Sequence, residues 1–190
     1  MYTSSTTEHQ LIDGARKCLE RLRITIQPLD DPTYTRESQA LPGSTIGKHV
    51  RHIIEHFTLL IQAINSKQPV TVNYAARHRN KDIETHVESG MDAILDVSDP
   101  QLTICLELLE SDYLSLHTPI RVIDTLPSGV ESALMSTLGR ELWFCTHHMI
   151  HHNAVIASLL YEAGHAPPPE FAYAPSTVKH NHDHSVEKQK

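Results

Sequence analysis

The pattern of apolar and polar positions predicts a chain built mostly from long amphipathic helices. In four segments the apolar side chains recur every three or four residues, which matches the 3.6 residues of an α-helical turn. We therefore predict helices over residues 7–27, 44–65, 81–97 and 137–164. Ser44 is the predicted N-cap of the second helix, because a serine hydroxyl can accept a hydrogen bond from the unpaired N–H groups of a first turn.

The segments between these helices are less regular. Residues 66–80 are predicted to form a loop, and the stretch 102–109 fits either a strand or a short helix. Alternating positions on both sides of Pro127-Ser128-Gly129 predict a small irregular or hairpin excursion before the last helix. Three or four long helices with inward polar groups indicate an all-α protein, a helix bundle. We expect a domain over residues 7–178 and a disordered polar tail over residues 179–190.

Composition and charge exclude several classes of function. The chain has 190 residues and a net charge of −7, which argues against binding to nucleic acid phosphates. No apolar run approaches the roughly 18 residues that a membrane span needs, and the first residues do not resemble a signal peptide. The three cysteines have no metal-binding spacing. We expect a cytoplasmic protein with no nucleic acid or membrane partner.

The last predicted helix carries two overlapping pairs of histidines spaced four residues apart. A helical projection places His148 and His152 inside the apolar stripe, and it places His147 and His151 at or beyond the edge of the stripe. Such a pair puts two nitrogen donors on one face, which suits a shared transition metal. Glu141 shares the inward stripe. The alternative interpretation is a helix whose histidines lie on the surface or make hydrogen bonds in the core.

A third nitrogen donor can come from the second helix. His49, His52 and His56 lie together on one flank of its apolar stripe, and periodicity does not choose among them, although it slightly favours His49 and His56. In the loop that follows, Arg77 and Arg79 form a cationic cluster with a histidine between them. That cluster could hold an anionic group, or it could be a solvated turn.

Two motifs resemble a known family. The sequences STIGKHVRHIIEHF and RELWFCTHHMIHHNAVIASLLYEAG are similar to motifs of the DinB/YfiT-like superfamily of metalloenzymes, and the resemblance extends to NYAARHRNKDIE and FAYAPSTV. It implies a four-helix bundle with an up-down-down-up arrangement. It also implies a divalent metal, zinc, nickel or iron, held by His52 of the second helix and by His148 and His152 of the last helix.

The resemblance extends to function. Related proteins include thiol-dependent enzymes, so we expect a metal-dependent enzyme of the thiol S-transferase or hydrolase type, acting on a small-molecule substrate for which a thiol is one candidate. The alternative is a non-catalytic metal-binding, sensing or structural module. A homodimer is one candidate assembly. The other candidate site residues are Glu141 as general base or imidazole-orienting carboxylate, His49, His56 and His151 as proton shuttles or supporting groups, and Arg77 and Arg79 as substrate-binding groups.

Overall fold

The computed structural model describes residues 6–66, 69–76 and 78–187, which form helices and one small sheet. A π-helical turn, Val97–Gln101, joins two of the helices. The helices are α1 (Thr7–Ile26), α2 (Asp31–Tyr34), α3 (Ile46–Ile64), α4 (Lys81–Thr85), α5 (Val87–Asp96), α6 (Leu102–Glu110), α7 (Leu138–Glu162) and α8 (Pro175–Glu187). The strands are β1 (Thr71–Asn73), β2 (Pro119–Thr125) and β3 (Glu131–Thr137).

The sheet corrects the fold predicted from the sequence. β1 pairs in parallel with β2, and β2 pairs in antiparallel with β3, so the sheet is mixed and has the order β1-β2-β3. The prediction of an all-α four-helix bundle with an up-down-down-up arrangement is therefore wrong. The physical reason is that Val72, Ile120 and Val122 are buried through paired strands, whose side chains alternate between two faces. The excursion before the last helix is a hairpin that shares its sheet with a strand from the predicted loop.

Three of the predicted helices are confirmed. The ends of α1, α3 and α7 lie within two residues of the predicted bounds. Their apolar stripes form the core, where α7 packs against both α1 and α3. Thr45, rather than Ser44, caps α3, because the Thr45 hydroxyl accepts a hydrogen bond of 3.1 Å from the backbone N–H of Lys48.

The third predicted helix is interrupted. His86 has an extended backbone and separates α4 from α5. Asp31 of α2 accounts for the break, because one of its carboxylate oxygens accepts a hydrogen bond of 2.8 Å from the backbone N–H of Val87 and the other lies 3.0 Å from Nδ1 of His86. This contact satisfies an N–H group at the start of α5, which a continuous helix would instead have paired internally.

Helices α3 and α7 run antiparallel, and their contact carries the histidines. His49 meets His152 at one end of this contact, and His56 meets Phe144 at the other. Residues later in α3 therefore lie beside residues earlier in α7.

Among the residues that the structure describes, none of the helices combines the length and apolar character that a bilayer crossing requires.

Replacement of Gly47 by alanine is expected to lower the free energy of unfolding by about 1–3 kcal/mol, the usual cost of overpacking a core. An added Cβ would overlap the carbonyl oxygen of Glu84 and lie 2.7 Å from the ring of Tyr34. Gly14→Ala in α1 is the matched control, since nothing lies within 4 Å of its added Cβ and alanine favours a helix. Urea unfolding compares the two variants, and equal stability would contradict the close packing of α3 against α4.

Candidate metal centre

Imidazole rings from α3 and α7 converge where the two helices pack. Nε2 of His52 lies 2.9 Å from Nε2 of His148, which in turn lies 3.1 Å from Nε2 of His152. Two nitrogens that bind one metal ion at about 2.0–2.1 Å are about 3 Å apart, so these separations suit a shared ion. The structure thus brings together the three residues assigned as ligands from the sequence, while their role as ligands stays a prediction.

The helical geometry explains this convergence. His148 and His152 lie one turn apart on the face of α7 that packs against α3, and both rings are partly buried. His52 lies opposite them, with its ring centroid 5.0 Å from that of His148 and 4.6 Å from that of His152. The outer pair from the projection differs: His151 is exposed, and the ring of His147 packs against Trp143 at 4.1 Å.

His49 supports His152 from the side away from the other rings. Nδ1 of His49 lies 2.8 Å from Nδ1 of His152, and Nε2 of His49 lies 2.7 Å from the hydroxyl oxygen of Ser44. If Nε2 of His152 is a ligand atom, its Nδ1–H donates to His49, and Nε2–H of His49 donates to Ser44. This assignment satisfies every nitrogen of the two rings, and it is the arrangement by which proteins orient a metal-binding imidazole.

Burial favours the neutral form of three of these imidazoles, those of His49, His148 and His152. Desolvation, followed by the charges of His56 and His151, lowers the pKa of His148 to about 4. Desolvation also lowers the pKa of His152, to about 2, with neighbouring histidines as the lesser cause. The pKa of His49 is lowered as well, again chiefly by burial. A neutral imidazole is the form that binds a metal, so His148 and His152 are ready to bind an ion at neutral pH.

His56 belongs to the same group of rings. Its centroid lies 4.5 Å from that of His52 and 4.4 Å from that of His148. One potential ligand atom from each of these three residues lies within 4.8 Å of the others. His52 and His148 are therefore common to two overlapping triads, of which one is completed by His152 and the other by His56.

Glu141 lies beneath this group and is fully buried. Its carboxylate accepts hydrogen bonds from the hydroxyls of Ser136 and Tyr74, at 2.6 and 3.1 Å, and from the guanidinium of Arg140 at 2.9 Å. The Tyr74 ring stacks on His56, with centroids 5.0 Å apart and planes 17° apart. The helical projection placed Glu141 inward as observed. Its contacts connect it to the imidazoles through Tyr74, and its role as a general base stays a prediction.

The predicted arginine cluster is only partly within the described structure. Arg77 lies outside the described residues. Arg79 is exposed and has a positive φ of 41°, and its backbone N–H donates a hydrogen bond of 2.9 Å to the carboxylate of Glu55. The contact of Arg79 with the site is thus made by its backbone, and substrate binding by either guanidinium stays a prediction.

A cavity of about 190 Å³ opens on one side of the imidazoles. His152 and His49 lie on the other side, so the cavity gives access to the centre from the side of His56. A larger cleft of about 660 Å³ lies along α1, but its described lining includes no histidine. The smaller cavity is therefore the better candidate for a substrate pocket. Its described wall includes His52, His56, His148, Tyr74, Phe144, Glu55 and Asp124.

Sequence reasoning did not identify Tyr74, Glu55 or Asp124 as site residues. Tyr74 follows β1, in a segment that was predicted to be a loop, and Asp124 lies in β2. The only signal for Tyr74 was its place in the motif NYAARHRNKDIE, which belonged to the family resemblance. Glu55 lies between His52 and His56 on α3 and forms an ion pair with Arg51, a spacing of four residues that is common on helices and does not by itself indicate a site.

Acidification from pH 7 to pH 5 is expected to destabilise the metal-free protein. Histidines of the unfolded chain bind protons below their ordinary pKa of 6.5, whereas folded His148 does so only near pH 4 and folded His152 only near pH 2. The unfolded state therefore binds more protons than the folded state between pH 7 and pH 5. As the pH is lowered through this range, the free energy of unfolding decreases. Urea unfolding with a chelator at pH 5, 6 and 7 measures the slope. His152→Gln should reduce it, and an unchanged slope would contradict the neutral state of His152.

The chain is similar in sequence to a known protein and to a protein family. A curated protein of Rhizopus delemar named FK506-binding protein 5 is 30% identical to this chain over 154 residues. The similar region makes up 80% of the chain and 32% of the fungal protein, so the chain spans about a third of the length of that relative. The model of the DinB family matches residues 1–181. Because this match covers nearly the whole chain, including all the histidines of α3 and α7, the chain belongs to the DinB family.

Proposed function

We propose that this protein binds a divalent metal ion through His52, His148 and His152 and acts as a metal-dependent enzyme of the thiol S-transferase or hydrolase type. The observation that carries the proposal is the convergence of their three Nε2 atoms. Nε2 of His148 lies 2.9 Å from that of His52 and 3.1 Å from that of His152. Membership in the DinB family supports the same site. Imidazole nitrogen suits zinc, nickel and iron alike, so the donor set leaves the choice among these metals open.

A three-histidine set is typical of catalytic rather than structural metal sites, because it leaves positions for other ligands. When bound, the ion supplies positive charge that lowers the pKa of a water or a thiol and so provides a nucleophile at neutral pH. The residues around it have separate tasks. His49 holds His152 in one tautomer, and Tyr74 and Phe144 form a wall that limits the substrate to the cavity of about 190 Å³.

The chain's own cysteines are poorly suited to act as the nucleophile, which favours a thiol supplied by the substrate. Burial raises the pKa of Cys105 and of Cys145 to about 12, and it also raises the pKa of Cys18. Each of them is therefore protonated at neutral pH and is a poor nucleophile. If the reaction uses sulfur, the reacting thiol enters with the substrate and approaches through the cavity beside His52, His56 and His148.

The second candidate function is a non-catalytic metal-binding module. The observation that favours it is the length of the Rhizopus delemar relative, because about two thirds of that protein lies outside the region of similarity. A unit of this kind can accompany another domain and contribute binding or stability rather than chemistry. The two functions share the metal and differ in whether a substrate reacts.

Metal binding is expected to raise the melting temperature of the wild-type protein, and His148→Ala is expected to reduce that rise sharply, because Nε2 of His148 lies between those of His52 and His152. At a metal concentration 100 times the Kd, the stabilisation amounts to about 2.7 kcal/mol. Differential scanning fluorimetry with zinc, nickel or iron(II), together with elemental analysis of the purified protein, provides the measurement. His147→Ala is the matched control, because it removes an imidazole of the same helix that packs on Trp143. A rise in His148→Ala equal to that of the wild type would overturn the proposed site.

Enzymatic activity is tested separately, with the metal-loaded protein. A panel of small thiols is incubated with alkylating electrophiles and epoxides, and a panel of esters and amides is tested for hydrolysis. We expect turnover of at least one class by the wild type and loss of turnover in His148→Ala. Full metal occupancy without any turnover across both panels would favour the non-catalytic module.

Removal of the supporting contact of His49 is expected to weaken metal binding without removing a ligand. His49→Ala takes away the acceptor of the Nδ1–H of His152, and loss of such an outer partner typically costs 10–100-fold in metal affinity. Competition titration with a chromophoric chelator measures the Kd. Ser44→Ala, which removes only the next contact in the series, should have a smaller effect. An unchanged Kd in His49→Ala would show that His152 does not depend on this contact.

A further inference from the structure

The four central histidines form two matched pairs on facing helices. His52 and His56 lie one turn apart on α3, and His148 and His152 lie one turn apart on α7. Five of the distances between their ring centroids fall between 4.4 and 5.0 Å. The triad used in the proposed function takes only three of these rings. His56 is as close to His148 as His152 is, with centroids 4.4 and 4.5 Å away, so proximity gives no reason to exclude it.

The orientation of His56 is that of a ligand held in place by its surroundings. The residue is 9% exposed, and its Nδ1–H donates a hydrogen bond of 2.9 Å to the carbonyl oxygen of His52. With the proton on Nδ1, Nε2 carries the lone pair that a metal needs. Tyr74 covers one face of the ring, and Glu141 fixes Tyr74 through its hydroxyl. The buried network around Glu141 thereby sets the plane of the His56 ring.

We propose that His56 is a fourth protein ligand to the metal, so that the centre has four imidazole nitrogens rather than three. This inference rests on the proposed function, because it concerns the same ion. His56 lines the cavity, whereas His152 does not, and it would therefore occupy the side from which a substrate arrives. Four nitrogens complete a tetrahedral zinc ion, but they leave two positions on an ion that accepts six ligands. The catalytic metal would then be nickel or iron(II) rather than zinc.

Cobalt(II) provides a spectroscopic probe of the number of ligands. The wild type, His56→Ala, His152→Ala and the control His147→Ala are each loaded with one equivalent of cobalt(II). X-ray absorption fine structure counts the imidazoles, and visible absorption reports the ligand field. We expect four imidazoles in the wild type and in His147→Ala, and three in His56→Ala, with a changed visible spectrum. The Kd for cobalt(II) should rise at least about tenfold in His56→Ala, since even the loss of an outer partner has that effect.

The outcomes separate the two proposals. If His56→Ala keeps the count and spectrum of the wild type while His152→Ala loses an imidazole, His56 is not a ligand and the three-histidine site stands. If the wild type binds no stoichiometric cobalt(II), zinc or nickel, both proposals fail. Circular dichroism first checks that His56→Ala folds. Should it not fold, histidine 15N NMR of the zinc-loaded wild type decides, with His56 assigned by its proximity to Tyr74: a metal-bound Nε2 of His56 supports the inference, and an unshifted one overturns it.

Discussion

The packing of imidazole rings between α3 and α7 is the constraint on which the rest of the structure depends. Removing polar rings from water costs free energy unless each nitrogen has a partner. The surrounding residues supply such partners: Ser44 contacts His49, His49 contacts His152, and the carbonyl oxygen of His52 accepts from His56. The first and third of these contacts lie within α3 and the residue just before its cap, whereas the contact of His49 with His152 joins α3 to α7. The position of α3 against α7 is thus set by polar contacts as well as by the apolar core.

The inward-facing histidines of α7 could be predicted from the sequence. For α3, the sequence pattern did not show which histidine would bind a metal. His148 and His152 stood out because they lie within an apolar stripe, where a polar ring needs an explanation. His49, His52 and His56 lie on one flank, so periodicity could not separate them, and the choice of His52 came from the family resemblance. The structure shows why: each of the three belongs to the same group of rings and makes a different contact within it.

The hairpin of β2 and β3 was among the forms predicted from local patterns, but strand β1 and the residues beneath the imidazoles could not be predicted in this way. β1 has three residues, which is too short for an alternation to be distinguished from a loop, and its partner β2 is about fifty residues away. The same limit applies to Glu141. Its burial followed from the helical projection, but its partners Tyr74 and Ser136 come from the end of β1 and from β3. Helical periodicity gives the direction of a side chain, and only the tertiary pairing gives its neighbours.

The parallel pairing of β1 with β2 has a consequence for the order in which the molecule assembles. Val72 pairs with Val122, and the backbone N–H of Tyr74 donates to the carbonyl oxygen of Ile123. Closing a loop of this length costs chain entropy before the strand contacts offset it, and such long-range contacts form slowly. During synthesis the N-terminal half, with His52, leaves the ribosome long before β2 and α7. The imidazoles of α3 can therefore meet their partners only after β2 and α7 have been made.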